Sequence, residues 1–145
     1  MYSRLCIAIF LAALVFLGSA SADTLLNANS ASAEQLAKIK VLSKEAAAVI
    51  AKDAPFTTIG TLNTALSALM SAEELETLYA LMFIPIKLNT ASRKDMLLIP
   101  GLGPRMAHEF EEYRPYTSME QFRREIGKYV DNAEVARLEM YVTLE

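Results

Sequence analysis

Hydrophobic side chains recur along this chain at spacings of three and four rather than two. Leu36 with Ile39, Val49 with Ile50, and Leu75, Leu78, Leu81 and Met82 share helical faces, as expected of amphipathic helices packed on one side. Runs that alternate with period two are hard to find, so strands are not expected. The helix starts are marked by polar residues. Ser32 with Gln35, Ser71 with Glu74, Ser92 with Asp95, Ser118 with Gln121 and Asp131 with Glu134 repeat one spacing. In it the first side chain accepts from orphan backbone N–H groups and the residue three positions on answers back. Pro55 and Pro115 lack the N–H that a helix needs and restrict the residue before them, so each ends a helix. The pattern predicts an all-α fold of short helices and tight turns.

The same pattern is written twice. Shifted by 60 residues without a gap, Asn29 falls on Asn89, Ala31 on Ala91, Ser32 on Ser92, Ile39 on Ile99, Leu42 on Leu102, Pro55 on Pro115 and Leu78 on Leu138. Two copies of a four-helix unit are therefore expected, over residues 23–85 and 86–145. The apolar clusters Leu69, Met70 and Leu81, Met82, Phe83 are expected to fill the core.

Residues 1–22 follow a different rule. Arg4 precedes an apolar run from Leu5 to Leu17, and Ala20, Ser21 and Ala22 supply small residues before Asp23. This is the composition of a secretory signal peptide cleaved after Ala22. The run falls short of the roughly 20 apolar residues a spanning helix needs, so no stable membrane anchor is expected after cleavage. Cys6, the one cysteine, lies inside the run. Export without disulfides points to a bacterial periplasmic or secreted protein held together by its core.

Composition and charge act mainly by exclusion. With 53% hydrophobic residues in 145, the chain is neither disordered nor low-complexity, and it is too short for a large multidomain enzyme. The whole chain has 14 Lys and Arg against 17 Asp and Glu. Arg4 belongs to the leader, so the remainder has 13 basic residues against 17 acidic ones, a balance of −4. A strongly nucleic-acid-binding domain would normally be basic, so this balance weighs against one.

One segment carries candidate chemistry. Ile99-Pro100-Gly101-Leu102-Gly103-Pro104-Arg105 separates two helical stretches, Arg93 to Ile99 and Pro104 to Tyr113. Gly101 and Gly103 are expected to adopt conformations closed to other residues, so a β-branched residue at Gly103 should do more damage than one at Ser43 in the first copy. Leu102 turns inward, and Pro104 suits the first position of a helix. Such a hairpin aims backbone N–H groups and the positive end of a helix dipole outward, toward a phosphate oxygen that Arg105 can also reach. On these residues alone a plain turn between helices is the commoner meaning of a lone Gly-x-Gly. Arg123, Arg124 and Lys128 can extend a basic strip from Arg105, or simply form a solvated face.

The surrounding motifs extend the comparison. Asn89-Thr90-Ala91-Ser92, the Pro100-Gly101-Leu102-Gly103 hairpin with Arg105 and Ala107, and Tyr113-Arg114-Pro115 followed by Ser118 resemble the helix-hairpin-helix domain of the ComEA-like competence and DNA-uptake family. The resemblance covers nearly all of the second copy and, more weakly, the first. It implies tandem helix-hairpin-helix units whose glycine hairpin binds the DNA backbone in the periplasm, on double or single strands, through phosphates and without sequence preference. The candidate DNA-binding residues are Gly101, Leu102, Gly103, Arg105, Arg123, Arg124 and Lys128. In the first copy the hairpin reads Lys40-Val41-Leu42-Ser43-Lys44, without either glycine, and is degenerate. An extrinsic photosystem II subunit resembles the same fold and binds protein, so the alternative is an interaction or scaffold module with an envelope protein as partner.

No enzyme is expected. No nucleophile elbow, P-loop or dinucleotide fingerprint occurs, and Glu111 beside Glu112 points in a different direction on its helix. His108, the single histidine, lacks an evident partner at metal-ligand spacing. Neither cofactor nor metal is implied.

Overall fold

A computed structural model describes residues 25–145; the proposed signal peptide lies outside them. The described chain holds eight helices and four two-residue strands. In chain order these are β1 (Leu26–Asn27), α1 (Ala33–Ala37), α2 (Lys44–Asp53), α3 (Ile59–Leu66), α4 (Ala72–Tyr79) and β2 (Met82–Phe83). Then come β3 (Ile86–Lys87), α5 (Arg93–Met96), α6 (Pro104–Glu112), α7 (Met119–Ile126), α8 (Asn132–Glu139) and β4 (Val142–Thr143). The architecture is mostly helical, and the order strand, four helices, strand occurs twice. Among the described residues no helix is long and apolar enough to cross a membrane.

The strands correct the expectation of none. Leu26 pairs with Met82 and Asn27 with Phe83, in parallel; Ile86 pairs with Val142 and Lys87 with Thr143, likewise. Parallel pairing needs a long crossover, which the four intervening helices provide, so each ladder clips the ends of one half together. Two residues are too few to show period two in a sequence.

Side-chain caps start seven of the eight helices. Ser32 and Ser71 form complete capping boxes with Gln35 and Glu74. Thr58 forms one with Thr61, and Ser43 accepts from the Ala46 N–H at 3.1 Å. Ser92, Ser118 and Asp131 also cap, but their partners turn elsewhere: the Gln121 side chain takes the Thr117 N–H, and Glu134 takes Arg137. The exception is α6. Its cap is Gly103, which has no side chain to offer.

Asparagine clamps set the position of the helices. The Asn29 amide accepts from the Phe56 N–H at 2.7 Å and donates to the Phe56 carbonyl at 2.8 Å. Asn89 does the same with Tyr116, at 2.7 and 2.9 Å. Each clamp ties the loop after the first strand to the segment following Pro55 or Pro115, where the preceding peptide bond is cis in both halves. Only the second half adds Arg114, which donates to the Leu88 and Ala91 carbonyls. These motif residues hold the fold rather than face a ligand.

One hydrophobic cluster runs through both halves. Phe83 meets Tyr141 edge-on at 4.9 Å between ring centres, and the Tyr141 hydroxyl donates to the Tyr79 carbonyl at 3.2 Å. Fully buried aromatic side chains contribute about 1.5–3 kcal/mol each, so this contact is a substantial part of what joins the halves. Met70, Met82 and Phe83 are buried as expected, whereas Leu69 and Leu81, just beyond the ends of α3 and α4, are exposed.

Candidate functional site

The hairpin between α5 and α6 is built on the same bonds as its counterpart between α1 and α2. Leu102 donates to the Ile99 carbonyl at 3.0 Å, as Leu42 donates to Ile39 at 3.1 Å. Ala107 bonds back to Gly103 as Ala47 does to Ser43. Below the turn, Ile99, Leu102, Ala107 and Phe110 are buried, and Arg93 on α5 holds Glu111 on α6. The Arg93 guanidinium accordingly draws the Glu111 carboxyl below its usual range.

Two differences separate the hairpins. Gly101 has φ +74°, while no non-glycine residue, Val41 included, has a positive φ among the described residues. Gly103 is different from the expectation: its φ is −84° and ψ 169°, an extended conformation open to any residue. A Cβ placed there meets nothing within 4 Å. The prediction that valine at Gly103 is the damaging substitution is therefore corrected. Backbone strain resides at Gly101, and valine at Ser43 removes a cap while valine at Gly103 removes none.

What Gly103 does instead is leave a helix end open. Ser43 fills the α2 N-terminus with its own oxygen; the Met106 N–H, equivalent to that of Ala46, has no such acceptor. The N–H groups of Gly101, Gly103 and Arg105 also lack acceptors among the described residues. Open donors at the positive end of a nine-residue helix have the geometry that suits an anion. Arg105 is exposed beside them and takes part in no ion pair among the described residues.

The rest of the expected basic strip is engaged. Arg123 holds Glu139 and Glu120, and the bond to Glu139 raises its pKa. Arg124 bonds Glu125 at 2.9 Å. Lys128 bonds Glu125 as well and lies 4.8 Å from the Tyr113 ring centre; together Lys128 and Arg124 lower the pKa of Glu125. Leu102 is buried and offers packing alone. Of the expected residues, Gly103, Arg105 and Lys128 line one cleft of about 410 Å³ with Met106, Glu109 and Tyr129. Arg123 and Arg124 are not among its lining residues.

On the other side of the turn, Gly101, Leu102 and Gly103 line a groove of about 730 Å³ against Met70, Leu75 and Tyr79 of the first half. The sequence places Glu109, with Glu111 and Glu112, as acidic neighbours of the hairpin, but neither the burial of Glu109 nor this groove leaves a trace in it, because both depend on distant segments meeting. Arg137 is another addition: its guanidinium lies 3.8 Å from where a Gly101 Cβ would stand, held at 2.7 Å by both oxygens of Glu134. The open cap had a signal, since Gly103 aligns with Ser43 at the repeat offset. His108 does have a partner, Glu112 one turn on at 3.4 Å. Among the described residues no group of three or more His, Cys, Asp or Glu could hold a metal ion.

Compared with known proteins, the chain matches no family model, no curated protein and no solved structure.

Proposed function

We propose that this chain is an exported, non-enzymatic protein of two tandem helix-hairpin-helix units, whose second hairpin binds the DNA backbone weakly and without sequence preference. The observation that carries this is the N-terminus of α6, which has no side-chain cap, beside Arg105, which makes no ion pair among the described residues. Double and single strands both offer the phosphate it fits. The twice-used order of elements, the paired asparagine clamps and the matched hairpin bonds support the tandem organisation. The first unit, closed by Ser43, has a structural part. Arg123, Arg124, Lys128 and Arg137 are tied to carboxylates, so binding should be micromolar or weaker at physiological salt, the range of non-specific binding.

A salt titration of the purified protein against duplex and single-stranded DNA tests this. Arg105→Ala should weaken binding to all sequences alike and lower the slope of log affinity against log salt by about one. Absence of binding at low salt, or a slope untouched by Arg105→Ala, would refute it. The second reading, a scaffold module for an envelope protein, is favoured by the apolar groove and by exposed Leu69 and Leu97; it takes over if DNA binding fails.

A further inference from the structure

The groove on the other side of the hairpin has an apolar lining that no part of the described chain covers. Met70, Leu75 and Tyr79 of the first half form one wall, and Leu97, Leu98 and Pro100 of the second form the other. Leu97 is 41% exposed, and Leu69, next to Met70, is 46% exposed, so apolar side chains stand in water along a groove of about 730 Å³. An apolar strip with polar residues at its rim suits the docking of a protein segment. The Tyr79 hydroxyl donates to Asn63 Oδ1 at 2.9 Å. That bond fixes the Asn63 amide on the groove wall and leaves its N–H groups without an acceptor among the described residues.

Charge selects what the groove accepts. From Asp53 to Ile86 the chain has no Lys or Arg. Glu76 lines the groove, Glu73 stands one turn before it on α4, and neither takes part in an ion pair among the described residues. The other copy of the repeat is built differently. There Arg123 holds Glu139 and Arg137 holds Glu134, and at the repeat offset those two arginines fall on Asn63 and Thr77 of the first half. Arg137 stands close to Gly101 at the groove, but both Glu134 oxygens hold it. The first-half wall is therefore apolar at its floor and uncompensated acid at its edge, a combination that attracts a cationic apolar segment and repels an anionic one.

We infer that this groove docks a basic amphipathic segment of a partner protein, with large apolar side chains laid over Met70, Leu75 and Leu97, Lys or Arg set against Glu73 and Glu76, and a backbone carbonyl accepting from Asn63. A helix with apolar side chains on one face and basic ones beside them presents both features to a groove of this kind. A second copy of this chain is a poor occupant, because Arg93, Arg123, Arg124, Lys128 and Arg137 are already tied to its own carboxylates. The inference gives the scaffold reading a partner chemistry and does not rest on the phosphate contact at α6.

The test is fluorescence anisotropy of the purified protein with three labelled synthetic peptides: a helical Leu/Lys amphipath, its Leu/Glu counterpart, and a scrambled Leu/Lys peptide of the same composition. The amphipathic Leu/Lys peptide should bind at least about five-fold tighter than either of the others. Glu73→Gln combined with Glu76→Gln should weaken it by about three-fold, the scale of exposed ion pairs, and Leu97→Ala by about five-fold, the scale of a truncated apolar anchor. Glu45→Gln, an exposed carboxylate that does not line the groove, should change nothing. The substituted side chains are exposed, so the variants should keep the wild-type melting transition; for any that does not, the comparison of the three peptides on the wild type decides. No binding of the Leu/Lys amphipath, equal binding of either control peptide, or affinity indifferent to Leu97→Ala or to the paired glutamate variant overturns the inference. So does a dimer in analytical ultracentrifugation that Leu97→Ala dissociates, since a second copy would then fill the groove. Arg105→Ala should leave peptide binding unchanged, so failure here and failure of the DNA site are read separately.

Discussion

Gly103→Ser should make the protein more stable and a poorer binder at once. The substitution installs in the second hairpin the cap that Ser43 supplies in the first, where its oxygen accepts the Ala46 N–H at 3.1 Å. The backbone is ready for it: φ is −84° with an extended ψ, and a Cβ meets nothing within 4 Å. Serine exceeds glycine as an N-cap by a few tenths of a kcal/mol, which raises the melting temperature by roughly 1 °C for a chain of this size. The same bond occupies the Met106 N–H, so an incoming phosphate forfeits one hydrogen bond worth about 1 kcal/mol, or about five-fold in affinity. Thermal melting followed by circular dichroism gives the first quantity, and anisotropy with a labelled duplex gives the second. A higher melting temperature with unchanged affinity would show that the open cap is no part of the DNA site. A lower melting temperature would refute the extended, unhindered geometry assigned to Gly103.

Gly101→Val should lower stability by about 1–3 kcal/mol, because valine must then adopt the +74° φ; Gly103→Val should cost less, and a melting comparison that reverses this order would contradict the assignment. Asn89→Ala removes both bonds to Tyr116 and leaves part-buried backbone groups unsatisfied, at about 1–3 kcal/mol, visible as a drop in denaturant midpoint. Stability should also fall in acid. The carboxyls of Glu111, Glu125 and Glu134 are held below their usual range by Arg93, by Lys128 with Arg124, and by Arg137. Their folded pKa values lie below the unfolded value of about 4.3, so the contribution is fully present above that pH and is lost as pH falls through the folded values. Melting temperatures that stay flat down to the pH where all carboxyls are protonated would count against these pairs.

What was legible in the chain was local. Each proposed capping serine or aspartate marks a helix start, because a cap needs only a residue and its neighbours two and three positions on. The asparagines and prolines at matching places in the two halves were visible as a repeat, and the structure explains them as clamps. Ser43 caps α2 without a signature in the sequence, since Ala46 three positions on is not the acidic or amide residue that marks a capping box. Contacts across the fold left no such trace. The pairing of Arg123 with Glu139 spans 16 residues, and the burial of Glu109 depends on how its helix face packs. A row of basic letters in a sequence carries no record of the carboxylates that will face them.

That omission sets the strength of the proposed site. Lys128 and Arg124 both bond to Glu125, whose side chain is only 12% exposed. If a phosphate drew both cations away, it would strand a poorly solvated carboxylate, a cost that offsets much of the new contact. Arg137 is likewise committed to Glu134 through two bonds. Arg105 alone among these can neutralise a phosphate without abandoning a partner. The salt dependence should therefore be shallow, with a slope close to the contribution of one phosphate, about 0.9 on duplex DNA. Glu125→Gln should deepen it, because the amide releases Lys128 and Arg124 from their ion pairs while keeping similar shape. The measurement is the same titration run on wild type and variant. A steep slope in the wild type, or no change on Glu125→Gln, would mean that the carboxylates do not restrain these cations.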